Sequence, residues 1–250
     1  MRLEELTVIL PTRNERYNIR AFLASLPAEV PLVVVDASDD DTVQLVRAIR
    51  PDRTTTIQQA CNVVVARQIG AQAATTPWML FTDADVIFSL TYFSDLSRLD
   101  ADDPRLGVIY GTKQACDRFA AYHRWFTRGQ HFFAALGIPA ATGSNLLINR
   151  AAFQAVGGFD LRLTCNEDSE IAWRIRRHGY RTQFAPGLIV YARDHRRLER
   201  GVLRKVIHSS LRCFVLYFNL LPSRWRGHDW GYWSADAKSA RAERAPSQLR

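Results

Sequence analysis

Along the first part of the chain, short unbroken apolar runs alternate with segments whose apolar residues recur every three or four positions. Thr7-Val8-Ile9-Leu10 and Leu32-Val33-Val34-Val35 are aliphatic runs bounded by prolines or polar clusters. Runs of this length between turn signals predict buried strands, and their continuous apolar character suits strands covered on both faces of a parallel sheet. Between them, Ile19, Phe22, Leu23 and Leu26 fall at helical spacing, and a second helix is predicted over Thr42–Ile49. A third strand is weakly marked near Thr54–Ile57. Cys61–Ala74 then reads as a helix with Val64, Val65, Ile69 and Ala73 on one side, followed by the apolar run Trp78-Met79-Leu80-Phe81. Alternation of this kind through residue 85 predicts an α/β chain built on a doubly wound, mostly parallel sheet flanked by helices.

Polar clusters follow three of the predicted strands: Thr12 to Glu15, Asp36 to Thr42, and Asp83-Ala84-Asp85. Parallel sheets bind ligands outside the carboxyl ends of their strands, so one cleft can gather all three. Read as the end of a strand, Asp83 and Asp85 share a face with Cα atoms roughly 6.6 Å apart. Two carboxylates so placed converge on one hard cation of the kind that also binds phosphate oxygens.

The second half is less periodic. Arg118–Leu136 reads as an aromatic-rich helix, and Ala141-Thr142-Gly143-Ser144-Asn145 as a small-residue loop before Leu146-Leu147-Ile148. Asn166-Glu167-Asp168-Ser169-Glu170 opens a helix closed by Gly179. Residues 203–221 again show helical spacing, with Leu203, Val206, Ile207, Leu211, Phe214 and Phe218.

Charge divides the chain. Residues 1–170 carry 16 Lys+Arg against 20 Asp+Glu, whereas residues 171–250 carry 17 against 5, a net of +12 in a chain of net +8. The basic C-terminal third is therefore expected to face something anionic. The four cysteines are scattered without a Cys-x-x-Cys pair, which argues against a disulfide framework or zinc site and fits a reducing, cytoplasmic compartment. The first residues do not read as a secretory leader, and no apolar stretch approaches the roughly 20 residues of a membrane span.

The order of these motifs resembles the family-2 glycosyltransferases of GT-A fold. Val8 to Glu15 is similar to the family's opening strand and loop, Asp36 to Thr42 to its acidic nucleotide-binding loop, and Ala66-Arg67-Gln68-Ile69-Gly70 to its Ala-Arg-Asn-x-Gly helix. Asp83-Ala84-Asp85 matches its metal-binding acid pair, and Gly157-Gly158-Phe159-Asp160 with Glu167-Asp168 its acceptor-side sequence. The acidic loop departs from the family pattern in having Ala37 for glycine and one Asp before the Ser, and Gln68 stands where Asn is usual. The Gln-x-x-Arg-Trp motif of processive members is missing.

The resemblance implies a GT-A domain over residues 1–200, with a nucleotide-binding half to about 115 and an acceptor-binding half from about 116, followed by a basic amphipathic helix and tail over 201–250. It implies an inverting transfer from a nucleotide-sugar donor to a hydroxyl acceptor, lipid-linked or of a cell-envelope glycan. Asp168 is then the candidate general base. Thr12, Asn14, Glu15, Asp36, Arg67 and Asp83 are candidates for holding the nucleotide, and Asp85, Asp83 and His195 for a divalent Mg²⁺ or Mn²⁺. The basic amphipathic segment at 203–221, with the net charge around it, adds the expectation of an anionic membrane surface touched from its inner face. Two other classes compete. A nucleotidyltransferase on a related fold also uses strand-end acids and a metal, but carries a glycine-rich phosphate loop that Leu10–Asn18 lacks. A basic nucleic-acid-binding protein accounts for the C-terminus but not for acidic clusters at three strand ends.

Overall fold

The computed structural model describes residues 1–115, 119–193, 202–220 and 226–227. Its centre is an eight-stranded mixed sheet, with strands β1 (Leu6–Thr12), β2 (Leu32–Asp36), β3 (Thr54–Gln58), β4 (Trp78–Phe81), β5 (Val86–Phe88), β6 (Leu106–Gln114), β7 (Leu146–Asn149) and β8 (Arg181–Ala192). The spatial order is β3-β2-β1-β4-β7-β6-β8-β5. β1 pairs in parallel with β2 and β4, and β2 with β3, as the alternating pattern predicts. Beyond β4 the direction reverses: β7 runs antiparallel to both β4 and β6, and β8 is parallel to β6 but antiparallel to β5.

The helices are α1 (Ile19–Ala24), α2 (Thr42–Ile49), α3 (Val63–Ala73), α4 (Tyr92–Ser97), α5 (Ala120–Ala135), α6 (Arg150–Ala155), α7 (Glu167–Arg177) and α8 (Val202–Tyr217). Alternation along β1 feeds two cores. Leu6, Val8 and Leu10 pack with Ile19, Phe22, Val46 and Tyr92 on one side, while Ile9 packs with Val64, Met79, Phe81, Ile171 and Ile175 on the other. A sheet buried on both faces needs continuous aliphatic strands, which is why β1 and β2 read so plainly. α3 starts on Asn62, whose side-chain oxygen accepts from the Val65 N–H at 3.0 Å. It lies hard against β1, because a Cβ at Gly70 would come within 2.4 Å of Ile9 Cγ2. That close approach sets how far the neighbouring Arg67 reaches.

One local expectation is corrected. Asp83 and Asp85 do not extend β4, which ends at Phe81; they lie in the turn between β4 and β5. Thr82 ends the strand by donating its hydroxyl to the Ser144 carbonyl at 3.0 Å. The two carboxylates consequently meet different partners instead of sharing a strand face. β6, α4 and β8 are additional elements with no clear signal in the sequence, since mixed burial along 181–192 hides the strand period. His195, Arg196, Arg197 and Arg200, and the tail from 228, lie outside the described residues.

Candidate active site

The polar clusters meet at the carboxyl ends of β1, β2 and β4. The first half of the site is a knot around Asp36, at the end of β2 and 2% exposed. Its Oδ1 accepts from Thr12 Oγ1 at 2.7 Å and from Ser38 Oγ at 2.6 Å. Ser38 Oγ in turn accepts from the Asn14 N–H at 2.8 Å, and the Asn14 side chain accepts from the Asp39 N–H at 2.9 Å. Asn14 takes a left-handed φ of 59°, a conformation that asparagine tolerates better than most residues. The Glu15 N–H donates to Thr42 Oγ1 at 3.0 Å, closing the loop against the start of α2. Thr12, Asp36, Ser38 and Asn14 thus form one connected cluster at the ends of β1 and β2, with Glu15 held beside it through Thr42.

The second half is organised by Arg67. Its guanidinium is buried and spans three acceptors drawn from different parts of the chain. Nη1 is ion-paired with Glu167 Oε1, while Nη2 donates to Asp83 Oδ1 at 2.7 Å and to the Gly143 carbonyl at 3.1 Å. Burial alone would push the guanidinium pKa down, but the charges of Glu167, Asp83 and Asp168 outweigh it and hold the group firmly protonated. Arg67 is therefore the floor of the site, engaged with protein acceptors. Glu167 is buried too, and that burial pushes its carboxyl above the usual range against the pull of Arg67.

Glu167 and Asp168 are the first two residues of α7, just after Asn166, which holds a left-handed φ of 61°. Successive positions on a helix point about 100° apart: Glu167 pairs with Arg67, while Asp168 Oδ2 accepts from the Gly143 N–H at 2.6 Å and Oδ1 from the Ser169 N–H at 2.7 Å. Burial raises the Asp168 pKa, with Arg67 and the two backbone donors opposing it. A carboxyl raised in this way holds a proton more readily than an exposed aspartate.

Two residues not singled out in the sequence complete the arrangement. Ser144 Oγ donates to Asp83 Oδ2 at 2.6 Å, and Lys113, on β6, donates to Ser144 Oγ at 3.0 Å. The same ammonium lies 3.7 Å from Asp85 Oδ1. Ser144 is held in place by its neighbour Asn145, which is fully buried, accepts from Tyr92 Oη at 2.7 Å and donates to the Leu188 carbonyl at 2.8 Å. The small-residue loop noted in the sequence marked this stretch. Lys113 had no local signal, because only the β4-β7-β6 order brings it to the acid pair. Asp85 also accepts through its backbone carbonyl from the Arg193 N–H at 2.8 Å, so the end of β8 closes over the turn.

Among the described residues no group of three His, Cys, Asp or Glu side chains forms a metal site. The donor set fits a hard divalent ion shared with a phosphate ligand. Asp85 presents carboxylate oxygen at the acid turn, and such ions take one or two carboxylates plus substrate phosphate oxygens. Both Asp83 oxygens already accept, from Arg67 and from Ser144.

The glycine at 143 is required by this packing. A Cβ there would fall 2.4 Å from Arg67 Nη1 and 2.5 Å from Nη2. Gly143→Ala is expected to displace the guanidinium and the Asp168 contact together. Stability should fall by about 1–3 kcal/mol, as for other overpacked sites, with a larger loss of activity. Urea unfolding beside a transfer assay measures both; an unchanged transfer rate would show that the Gly143 contacts do not organise the chemistry.

A strand-end acid turn, a polar wall and a separately held carboxylate thus come together at one end of the α/β sheet. The family model of glycosyl transferase family 2 matches residues 7–157, more than half of the chain, and the protein belongs to that family. It is 26% identical over 230 residues to a pre-mycofactocin glycosyltransferase of Mycobacterium tuberculosis strain CDC 1551 / Oshkosh, covering 82% of this chain and 46% of that protein. It is 28% identical over 193 residues to the succinoglycan biosynthesis protein ExoA of Rhizobium meliloti strain 1021, covering 70% of this chain and 58% of that protein. The chain thus spans about half the length of these curated relatives. Among solved structures, the mannosyltransferase PcManGT of Pyrobaculum calidifontis, in complex with GDP-Man and Mn²⁺, superposes with a TM-score of 0.66 at 22% identity, covering 97% of this chain and 76% of that one. S. aureus TarS 1-349 in complex with UDP-GlcNAc gives 0.61 at 19% identity, covering 76% and 58%. At these identities the structural likeness establishes the GT-A fold.

Proposed function

We propose that this protein is an inverting, divalent-metal-dependent glycosyltransferase. It moves a sugar from a nucleotide-sugar donor to a hydroxyl of a lipid-linked or cell-envelope glycan acceptor. The observation that carries the reading is the division of labour among the acids: Asp83 and Glu167 are consumed by Arg67, while Asp168 is held by two backbone N–H groups with a raised pKa. The solved relatives with GDP-Man and Mn²⁺ and with UDP-GlcNAc support the donor class.

In this reading the Thr12–Asn14–Glu15–Asp36 wall orients the nucleoside, and Asp85 with Asp83 holds the ion. When bound, the ion supplies positive charge for the departing diphosphate. Lys113 adds a fixed positive charge on the same side. Asp168 takes the proton of the acceptor hydroxyl as its oxygen bonds to the anomeric carbon. The bond from that carbon to the diphosphate oxygen breaks on the opposite face, so the configuration inverts. His195 is a further candidate ligand of the ion on the strength of the family resemblance.

The test is thermal unfolding with UDP-, GDP- and dTDP-sugars in the presence of Mn²⁺ or Mg²⁺. One donor class at a hundred times its Kd should stabilise the fold by about 2.7 kcal/mol. Removing the metal with EDTA, or the substitution Asp85→Asn, should abolish the metal-dependent part of that shift. Absence of a shift with every nucleotide would sink the reading.

A further inference from the structure

Two helices of this protein are inside out. A helix on a globular domain normally turns its apolar stripe to the core and its polar residues to water. On α8, Leu203, Ile207, Leu211 and Phe214, with Phe218 just past its end, follow at spacings of four, four, three and four, which places them in one stripe. They are 72%, 56%, 52%, 55% and 56% exposed. Arg212, on the opposite side of the same helix, is fully buried and donates from Nη2 to the Arg226 carbonyl at 2.8 Å. α5 repeats the inversion. Trp125, Phe132 and Phe133, with Leu136 just past its end, are exposed, whereas His123 and Gln130 are buried on the other side. Gln130 Nε2 donates to the Ala140 carbonyl at 2.9 Å, so the polar inner face is bonded into the protein.

The two helices belong to one region. Val202, at the start of α8, packs with Phe119 and Tyr122 at the start of α5. Toward its other end, Leu216 and Cys213 pack with Ile138, just beyond α5, and with Trp173 of α7. Charge accompanies the apolar face on α5, where Arg124 and Arg128 are exposed. An apolar, aromatic stripe bordered by cations is complementary to an anionic bilayer, where rings enter the acyl boundary and basic groups meet the headgroups. No helix among the described residues is long and apolar enough to cross a membrane. Docking parallel to the surface is the mode this geometry allows.

We infer that the outward faces of α5 and α8 form a docking surface for the anionic face of a lipid bilayer. The inner side of α8 meets the candidate catalytic end. Asn166 Nδ2 donates to Cys213 Sγ at 3.3 Å, and burial, with the nearby charge of Asp168, pushes the Cys213 thiol up to about 12. A helix resting on the bilayer therefore lies one layer from Asp168, and a membrane-embedded acceptor reaches the site without leaving the interface. The docking stands apart from the transferase reading; only this last consequence rests on it.

The test is flotation of the full chain with vesicles of phosphatidylcholine alone and of phosphatidylcholine with phosphatidylglycerol. Binding is expected to the anionic vesicles, weakening as salt is raised. The substitutions Ile207→Glu, Leu211→Glu and Phe214→Glu together should lower partitioning at least about tenfold, while the melting temperature stays near that of the parent because all three side chains are exposed. A charge-only variant, Arg124→Gln with Arg128→Gln, should weaken binding by a smaller factor and flatten its salt dependence. No flotation at low salt overturns the inference. So does a triple variant that binds like the parent, or light scattering showing a dimer that the triple variant dissolves while vesicles bind neither form. The nucleotide-sugar stabilisation of the free chain is measured without vesicles, so its failure and the failure of docking are separate results.

Discussion

Replacing Asp168 with Asn slows sugar transfer by about 10²–10⁴-fold, the range that a positioned general base contributes. The amide oxygen still accepts from the Gly143 N–H, at the expense of the Ser169 contact, so the loop keeps its hold. Nucleotide-sugar stabilisation should therefore survive in this variant while turnover does not. The parent enzyme adds a second signature. A base works only when deprotonated, and burial raises the Asp168 pKa above the ordinary aspartate range. Turnover under saturating donor should therefore rise with pH through that elevated value, and the acid limb should vanish in Asp168→Asn. An intact rate in the variant would move the proton to another group; an unchanged acid limb with a slow rate would make Asp168 a structural residue.

The second large effect is on stability. Arg67→Ala leaves Glu167 buried and Asp83 half-buried without their cation, and stranding one partner of a buried ion pair costs about 3–5 kcal/mol. In a chain of this size that corresponds to a fall in melting temperature of roughly 10 °C. Combining Arg67→Met with Glu167→Gln should cost less than the sum of the two single changes, because the uncompensated charge is removed with its partner. Denaturant unfolding of the four proteins of that cycle checks it. Additive costs would show that the pair is not a coupled unit.

How far the sequence disclosed this molecule depended on whether the relevant physics was local. β1 and β2 are buried on both sides and therefore read as unbroken aliphatic runs, and α3 announced itself by helical spacing after Asn62. The strands beyond β4 did not, because reversal of direction at β7 is set by pairing between distant segments. The candidate acids were legible as types and as positions after strands. Their assignments were less so: the period-two argument for Asp83 and Asp85 fails because Thr82 bonds to Ser144, 62 residues away, and ends the strand. Glu167 stood beside Asp168 in the sequence with no partner in view. In the fold its partner is Arg67, 100 residues away, and the helical step between neighbours turns the two carboxylates to different partners. Lys113 was invisible for the same reason, since its relation to Asp85 exists only through the order of the sheet.

α3 carries two consecutive residues that reach into the later part of the chain. Arg67 holds Glu167, and the next residue, Gln68, accepts from the Phe159 N–H at 2.9 Å. The Asp83 turn, the start of α7 and the Phe159 loop are thus bolted to one short rod that is itself wedged against β1 at Gly70. Such a part does not let one surface relax alone. Laboratory exchange of acceptor specificity between relatives should then require moving positions 67, 68, 159 and 167 as a set, because a foreign acceptor segment would otherwise arrive without the fittings that this rod expects.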